Sequence, residues 1–452
     1  MYKRIYKNSD NLGHLGLKPS FILQRSGVFL APFLAHLRMK MDVRLVRTFE
    51  DCFHGILAHR NKDKGLILSE LGGYITGFLF GPSGTKRLSN LFRSAKWCAQ
   101  DLEDVHLEGA KKQVDGWVLA GQRVLGFIDD SSVEKPESWH SEGLCAVYSS
   151  KAQRLTRIKK GYYHPPVKRI CVPGFQWTAL MIGGLSLIPM VGLMKWWTKK
   201  GREADSQDNV FYKLLKQIKA VFGSTMTLVL DRGFANEPTL ERLFKCEQFF
   251  IIRWKSANLL QNSLEKGVKA KNTWKICQYI RDMHTKVFWD KERKQYLKIG
   301  IVYAKVWHPE HPDKPLTLIV ARQKNREGSQ PMYLLTNVEV DSIGMAWEIL
   351  KSYIQRWDVE QAFRFNKAEL GIQAIRLHKF QNRLKMMALV TLIYQFLLQL
   401  WRNWNAATKI IIKKWCPRTD KRLDKNGLPL YRLRIAIFNI LTIIVAGNSM
   451  PK

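Results

Sequence analysis

Two short apolar runs in this chain end on acids: VLGFIDD at 124–130 and TMTLVLD at 225–231. A run of that length, bounded by turn residues, reads as a strand buried on both faces. GFQWTALMIGG (174–184) and LSLIPMVGLMKWW (185–197) read as a buried strand pair joined at Gly183–Gly184. FYKLLKQIKAVF (211–222) has the apolar spacing of an amphipathic helix, PTLERLFKC (238–246) that of a short helix, and FFIIRW (249–254) is a further strand. Strands alternating with helices and ending in acids predict an α/β fold. Carboxylates at the carboxyl ends of neighbouring strands converge above the sheet.

The flanking regions differ in pattern. Residues 1–115 read as a mostly helical N-terminal region, with apolar spacing in FLAHLRMKMDVRLVRTF. Within it, GPSGTKRLSNLFRSAKW places Lys86, Arg87, Arg93 and Lys96 on a helix after a Gly/Ser break. That arrangement suits a helix-turn-helix module and equally a solvated helix face. Residues 116–254 form the first part of the α/β core. Residues 255–338 read as a β-rich insertion, with 16 basic and 7 acidic residues over 255–335. A core segment at 339–375 contains one long helix from about 340 to 368. Region 376–452 is basic and helical, with 15 basic and 2 acidic residues.

Charge narrows the function. Lys plus Arg number 73 against 38 Asp plus Glu, a formal net charge of +35. An excess of that size favours a polyanionic partner, nucleic acid before an anionic membrane surface. With 46% hydrophobic residues, the chain is not disordered for most of its length. The seven cysteines are odd in number and contain no CxxC pair, which argues against a disulfide framework or zinc ribbon and fits a reducing cytoplasm. Residues 1–16 contain no apolar leader run. Three apolar stretches, 175–193, 386–401 and 433–447, read as buried strands and helices and not as membrane spans, the last two being too short.

A chain this basic needs a reason for its buried acids. Asp129 and Asp130 end one strand and Asp231 another. Such carboxylates form a hard oxygen site suited to Mg²⁺ or Mn²⁺, although strand-end Asp also serves as a turn former. Two metal ions roughly 3.5–4 Å apart can clamp the attacking and leaving oxygens of a phosphodiester. In SYIQRWDVEQAFRFNK, Tyr353, Arg356, Glu360 and Lys367 lie 3, 7 and 14 residues along from the first. On one continuous helix they share a narrow face, with Phe363 beside it and Val359 far from it. Glu with Arg and Lys on a packed face is what a phosphate-and-metal site needs.

The spacing Tyr353, Arg356, Glu360, Lys367 resembles the helix signature of prokaryotic insertion-sequence transposases with a DDE triad. DRGF at 231–234 resembles that family's second acid motif, and DDSS at 129–132 its first. Phe363, Arg364 and the LGIQ after Lys367 are also similar to the family. The resemblance covers about 122–375. It implies a ribonuclease-H-like catalytic core with a β-rich insertion between the second Asp and the Glu. The 129 positions from Asp231 to Glu360 (360 − 231) leave room for it. It further implies Asp130, Asp231 and Glu360 as catalytic residues holding two Mg²⁺ or Mn²⁺ ions. Asp129 is the alternative first acid, since only one of two neighbours on a strand faces the site.

The implied reaction is metal-dependent nicking at the ends of an insertion sequence, followed by strand transfer of the freed 3′-hydroxyl into target DNA. Cut-and-paste members pass through a hairpin. Tyr353, Arg356, Lys367, Arg364 and Arg232 would then bind DNA near the cleaved end. Met332 and Tyr333 stand where relatives carry a residue that receives or displaces a base, and ordinary strand residues are the competing reading. Trp177, Trp196, Trp197 and Trp357 read as core. Expected partners are double-stranded DNA, as terminal inverted repeats and target, and a second copy of the chain on DNA, with no membrane. The expected location is cytoplasmic, with the nucleoid. Three alternatives stay open: a non-transposing nuclease of the same fold, a DNA-binding relative without catalysis, and a basic RNA-binding structural protein, which predicts no convergent acids.

Overall fold

The apolar runs become the strands of one large sheet in the computed structural model. It describes residues 20–60, 65–136, 138, 140–149, 170–185, 187–265, 268–278, 283–290, 295–324, 328–416 and 429–448. The N-terminal stretch examined for a leader lies outside them. The N-terminal region is helical: α1 (Ser20–Arg38), α2 (Val43–Ala58), α3 (Leu68–Thr76), α4 (Gly81–Arg93) and α5 (Ala99–Leu119). Asp42 caps α2, its carboxylate accepting the N–H groups of Arg44 and Leu45.

Then come β1 (Val124–Glu134), β2 (Cys145–Tyr148), β3 (Cys171–Gly184) and β4 (Leu187–Trp197). Strand β3 runs antiparallel to β1 on one side and to β2 and β4 on the other. Helix α6 (Gln207–Phe222) leads to β5 (Met226–Leu230), and α7 (Glu237–Lys245) to β6 (Phe249–Trp254). Strand β5 lies parallel to β1, and β6 parallel to β5. The order β4-β3-β1-β5-β6 is therefore three antiparallel strands followed by two parallel ones.

The 255–338 region is β-rich, as its composition predicts, but its main strands do not stand apart from the core. After β7 (Leu259–Leu260), β8 (Lys271–Asn272) and the short α8 (Thr273–Cys277) come β9 (His284–Asp290), β10 (Gln295–His308), β11 (His311–Gln323) and β12 (Met332–Thr336). Strand β12 pairs with β6, so β12-β11-β10-β9 extend the same sheet. Helices α9 (Ile343–Ile354), α10 (Trp357–Ala368), α11 (Phe380–Asn403), α12 (Asn405–Trp415) and α13 (Leu430–Asn448) complete the chain.

The sheet has a core on each face. Val124 and Ile128 of β1 face α5, α6 and α7, whereas Leu125, Phe127 and Val133 face the side that carries α9, α10 and α11. Helix α11 is long and apolar enough to cross a membrane, so the reading of 386–401 as too short undercounts it. Of its most apolar window, 89% is buried inside the protein. All seven cysteines are free.

The single helix expected from about 340 to 368 is two. The N–H groups of Arg356, Asp358 and Val359 donate to the carbonyls three residues back, at 3.0, 2.9 and 3.1 Å. These tight i→i−3 bonds bend the chain between α9 and α10. Gln355 at the bend donates its amide to the Gly184 carbonyl at 2.7 Å, tying the elbow to the end of β3.

N- and C-terminal regions interlock through Arg434, buried on α13. Its guanidinium donates to the carbonyls of Leu57 (2.7 Å), Ile56 (2.5 Å) and His59 (2.6 Å), closing the end of α2. Arg434→Ala leaves three buried carbonyls unpaired. We expect it to destabilise the protein by about 2–4 kcal/mol, read as a lowered unfolding midpoint in thermal or urea melts. Arg434→Lys should recover part of the loss.

Candidate active site at the strand ends

Asp129 and Asp231 directly follow the last parallel pair of β1 and β5, Ile128 opposite Leu230. Strand β1 itself runs on to Glu134 against β3, so Asp129 and Asp130 lie within that strand and not at its end as the apolar run predicts. Each lies two residues beyond a side chain in the core shared with α9 and α10, Phe127 and Val229. Strand alternation therefore aims both acids at the helix pair. Glu360 sits in the first turn of α10.

One cation joins two of these acids. Arg356 Nη1 donates to Asp129 Oδ2 at 2.7 Å, and Nη2 donates to Glu360 Oε1 at 2.5 Å. The Tyr353 hydroxyl approaches the third, at 3.4 Å from Asp231 Oδ1. Lys367 Nζ donates to Ser131 Oγ at 2.7 Å, and Ser131 shares the β1 face of Asp129. All four signature residues thus meet the strand ends. They do so across an elbow, not along one helix: Tyr353 belongs to α9, Arg356 to the bend, and Glu360 and Lys367 to α10.

Asp130 faces the other way. It accepts hydrogen bonds from Thr178 Oγ1 (2.5 Å) and Gln207 Nε2 (2.6 Å). Thr178 in turn accepts the Trp197 indole N–H at 3.1 Å. The choice of Asp130 as first acid is therefore not matched by the geometry, and the alternative, Asp129, is the neighbour that meets Arg356. The reason is alternation: two successive strand residues cannot face one helix.

Burial pushes the Asp129 carboxyl up to about 7; Arg356 and the Asp130 N–H oppose the rise, and Asp231 and Asp130 add to it. Burial also raises Asp130, against the hydrogen bonds from Thr178 and Gln207. Burial raises the Tyr353 phenol, with Arg356 acting against it and Asp231 for it. For Arg356, burial is outweighed by Asp129 and by Tyr353, Asp231 and Glu360, so the guanidinium is held firmly protonated.

The other expected site residues are dispersed. Arg364 is exposed and lies over the Trp357 ring at 5.5 Å. Trp357 itself is 51% exposed and not a core residue, because the elbow turns it outward; Trp177 and Trp197 are buried. Phe363 packs edge-on against Trp177 at 4.6 Å between ring centres. Met332 packs against the core on the α9–α10 side. Its neighbour Tyr333 points the opposite way, into a cavity of about 430 Å³ shared with Arg232, Arg253, Trp254 and Trp274. Arg253, Trp254, Trp274 and Ser131 were not picked out from the sequence. Ser131 carried a usable signal, the two-residue step from Asp129; the cavity residues come together only through pairing of β6 with β12.

Asp129 and Glu360 share one guanidinium and Asp231 stands on the next strand; carboxylate oxygens of this kind are hard donors. That chemistry fits a divalent metal ion. Among the described residues, no three acid, His or Cys side chains are preassembled around one point, since Arg356 occupies the space between Asp129 and Glu360.

With this geometry in view, the comparisons with known proteins bear on it directly. Residues 200–396 match the family model of the transposase DDE domain. The match spans Asp231, the insertion strands, the elbow and Glu360, beginning after the strand of Asp129. It supports a DDE-type transposase. No curated protein sequence matches the chain. Among solved structures, a piggyBac transposase synaptic complex with hairpin DNA is similar at a TM-score of 0.41 and 12% identity, covering 96% of this chain and 83% of that one. That similarity is too low to carry its fold across.

Because the folded carboxyl of Asp129 titrates near 7, above its unfolded value, its contribution to stability is fully present below about pH 4 and is lost as pH rises to about 7. Asp129→Asn should remove this dependence. Melting points measured across pH 4–8 should show wild type losing stability relative to the variant with rising pH, by at most about 1.4 kcal/mol per pH unit.

Proposed function

We propose that the protein is a DNA transposase that cleaves at the ends of an insertion sequence and transfers the freed strand into target DNA. The reading rests on one observation above the others: Arg356 joins Asp129 to Glu360, and Tyr353 beside it approaches Asp231 on the neighbouring strand. The strand order β4-β3-β1-β5-β6 supports a ribonuclease-H-like core carrying these acids. Asp129, and not Asp130, serves as the first acid.

Asp129, Asp231 and Glu360 would hold divalent cations, Mg²⁺ or Mn²⁺, which would supply Lewis-acid polarisation of the phosphodiester and a water of lowered pKa. The protein's own groups do the rest. Arg356 exchanges its carboxylate partners for a phosphate of the bound strand; its Nε–H is buried with no partner among the described residues and supplies a further donor. Lys367 grips a second phosphate as a compact charge. Ser131 keeps Lys367 in reach of Asp129. Hydrolysis adds water across one P–O bond and leaves a 3′-hydroxyl. In strand transfer, that hydroxyl forms a P–O bond to a target phosphate while the target's own P–O bond to its 3′-oxygen breaks. The proton lost by the attacking hydroxyl is balanced by one taken up, through solvent, by the leaving 3′-oxygen.

Second-strand cleavage through a hairpin needs a place for an unstacked base. The cavity lined by Arg232, Arg253, Trp254, Trp274 and Tyr333 favours that route, since aromatic faces stack bases and guanidinium groups take up phosphate. Tyr333 then takes the part first considered for Met332. The enzyme acts as a pair of copies in the cytoplasm with the nucleoid, one copy per element end.

The test is cleavage of DNA carrying the sequences that flank the coding frame, with Mg²⁺ supplied. Asp129→Asn, Asp231→Asn and Glu360→Gln should each lower the nicking rate roughly a thousandfold or more. Asp130→Asn should stay within about tenfold of wild type. Wild type cutting no faster than Glu360→Gln would sink the enzyme reading; Asp130→Asn failing while Asp129→Asn cuts would reverse the choice of first acid.

A further inference from the structure

Asp130 turns away from the acid site, yet both of its carboxylate oxygens are held. Oδ1 accepts the Thr178 hydroxyl at 2.5 Å, and Oδ2 accepts the Gln207 amide at 2.6 Å. Thr178 lies directly opposite Asp130 in the register of β1 with β3, and it is buried. Its hydroxyl has a single proton to give. An indole N–H only donates, so the Trp197 contact at 3.1 Å makes Thr178 Oγ1 an acceptor there and commits its proton to Asp130. The chain from Trp197 through Thr178 to Asp130 therefore runs in one direction. Gln207, the first residue of α6, closes it from the other side. Strands β3 and β4 and helix α6 thus meet on one carboxylate.

The peptide between the two acids carries this clamp to the opposite face of β1. The Asp130 N–H donates to Asp129 Oδ1 at 2.9 Å, while Arg356 holds Asp129 Oδ2. Among the described residues, these two donors hold the Asp129 carboxylate. The cross-strand neighbour of Asp129 is Ala179, whose methyl group offers no hydrogen bond. Pairing with β5 stops at Ile128, so from Asp129 onward β1 is paired with β3 alone. Once Arg356 has turned to a phosphate, the Asp130 N–H is the hold that remains.

We infer that Asp130 is a positioning residue for the cation site: Trp197, Thr178 and Gln207 fix its carboxylate on the far face of β1, and the backbone so fixed presents the N–H that orients Asp129. The inference rests on the reading of Asp129 as a cation-holding acid and deepens it. Hydrogen bonds made to a metal ligand from behind fix its orientation and are worth roughly 10–100-fold in metal affinity. The adjacent acids then divide the work by strand alternation, one facing the cation and the other anchoring the peptide between them. An amide at position 130 preserves the clamp: Asn keeps an oxygen for Thr178, and Gln207 can turn its own amide to accept the new N–H. Thr178→Val has the same shape without the hydroxyl. It strands the Trp197 N–H and one Asp130 oxygen, so it is the severe change.

Mn²⁺ is titrated calorimetrically into the full-length protein without DNA. Thr178→Val and Asp130→Ala should bind it roughly 10–100-fold more weakly than wild type. Thr178→Ser, which restores the hydroxyl, should recover most of the affinity. Gln207 is exposed, so Gln207→Ala keeps the fold whatever the core variants do, and it should weaken Mn²⁺ in the same direction. In nicking assays, the Mg²⁺ concentration for half-maximal rate should rise in these variants while the KM for DNA holds. A clamp that serves stability alone would lower the melting point of Thr178→Val and leave its isotherm unchanged. That result, or wild-type isotherms in Asp130→Ala and Gln207→Ala while Asp129→Asn loses the binding heat, overturns the inference and leaves the cation-site reading standing. Wild type that takes up no Mn²⁺ overturns both.

Discussion

The meeting of the central sheet with α9 and α10 is organised around one guanidinium. Arg356 binds Asp129 on β1 and Glu360 on α10 and stands near Asp231 and Tyr353. Without a cation there, Asp129 would stand buried and without a counter-ion where the pairing with β5 ends, a charge that burial alone disfavours. Burial is the main reason the Asp129 carboxyl rises to about 7, with Arg356 opposing the rise and Asp231 adding to it. A buried ion pair contributes little net stability once desolvation is counted. What it secures is position: Asp129 on β1 and Glu360 on α10 are held together through one side chain.

Around this negative point the chain is strongly positive, and the structure assigns some of that charge to structural work. Arg434, Lys385 and Lys135 are buried and donate to backbone carbonyls. Arg87 pairs with Asp51, and Lys195 with Glu103. The three buried cations take only a small part of the net charge of +35 from the surface, and the two ion pairs take none.

The strands, most helices and the α/β class were legible because buried strands are short apolar runs and the helices carry a clear 3.6-residue period. Three features were not. Both faces of β1 are apolar, so alternation could not tell which of Asp129 and Asp130 faces the signature helix; that depends on where α10 packs, a long-range fact. The bend at Gln355–Arg356 contains neither glycine nor proline and follows from anchoring on Gly184, far away in sequence. The continuity of the insertion strands with the core sheet arises from β12 pairing with β6, which no local pattern encodes. Tyr353, Arg356, Glu360 and Lys367 nonetheless converge, because the elbow carries them to one place on the strand ends.

The central claim is that Asp129, and not Asp130, is the first of three cation-holding acids. Calorimetric titration of Mn²⁺ into wild-type protein, Asp129→Asn and Asp130→Asn tests it without reference to catalysis. The account predicts that Asp129→Asn loses most of the binding heat while Asp130→Asn keeps the wild-type isotherm. Binding abolished in Asp130→Asn and retained in Asp129→Asn would contradict it.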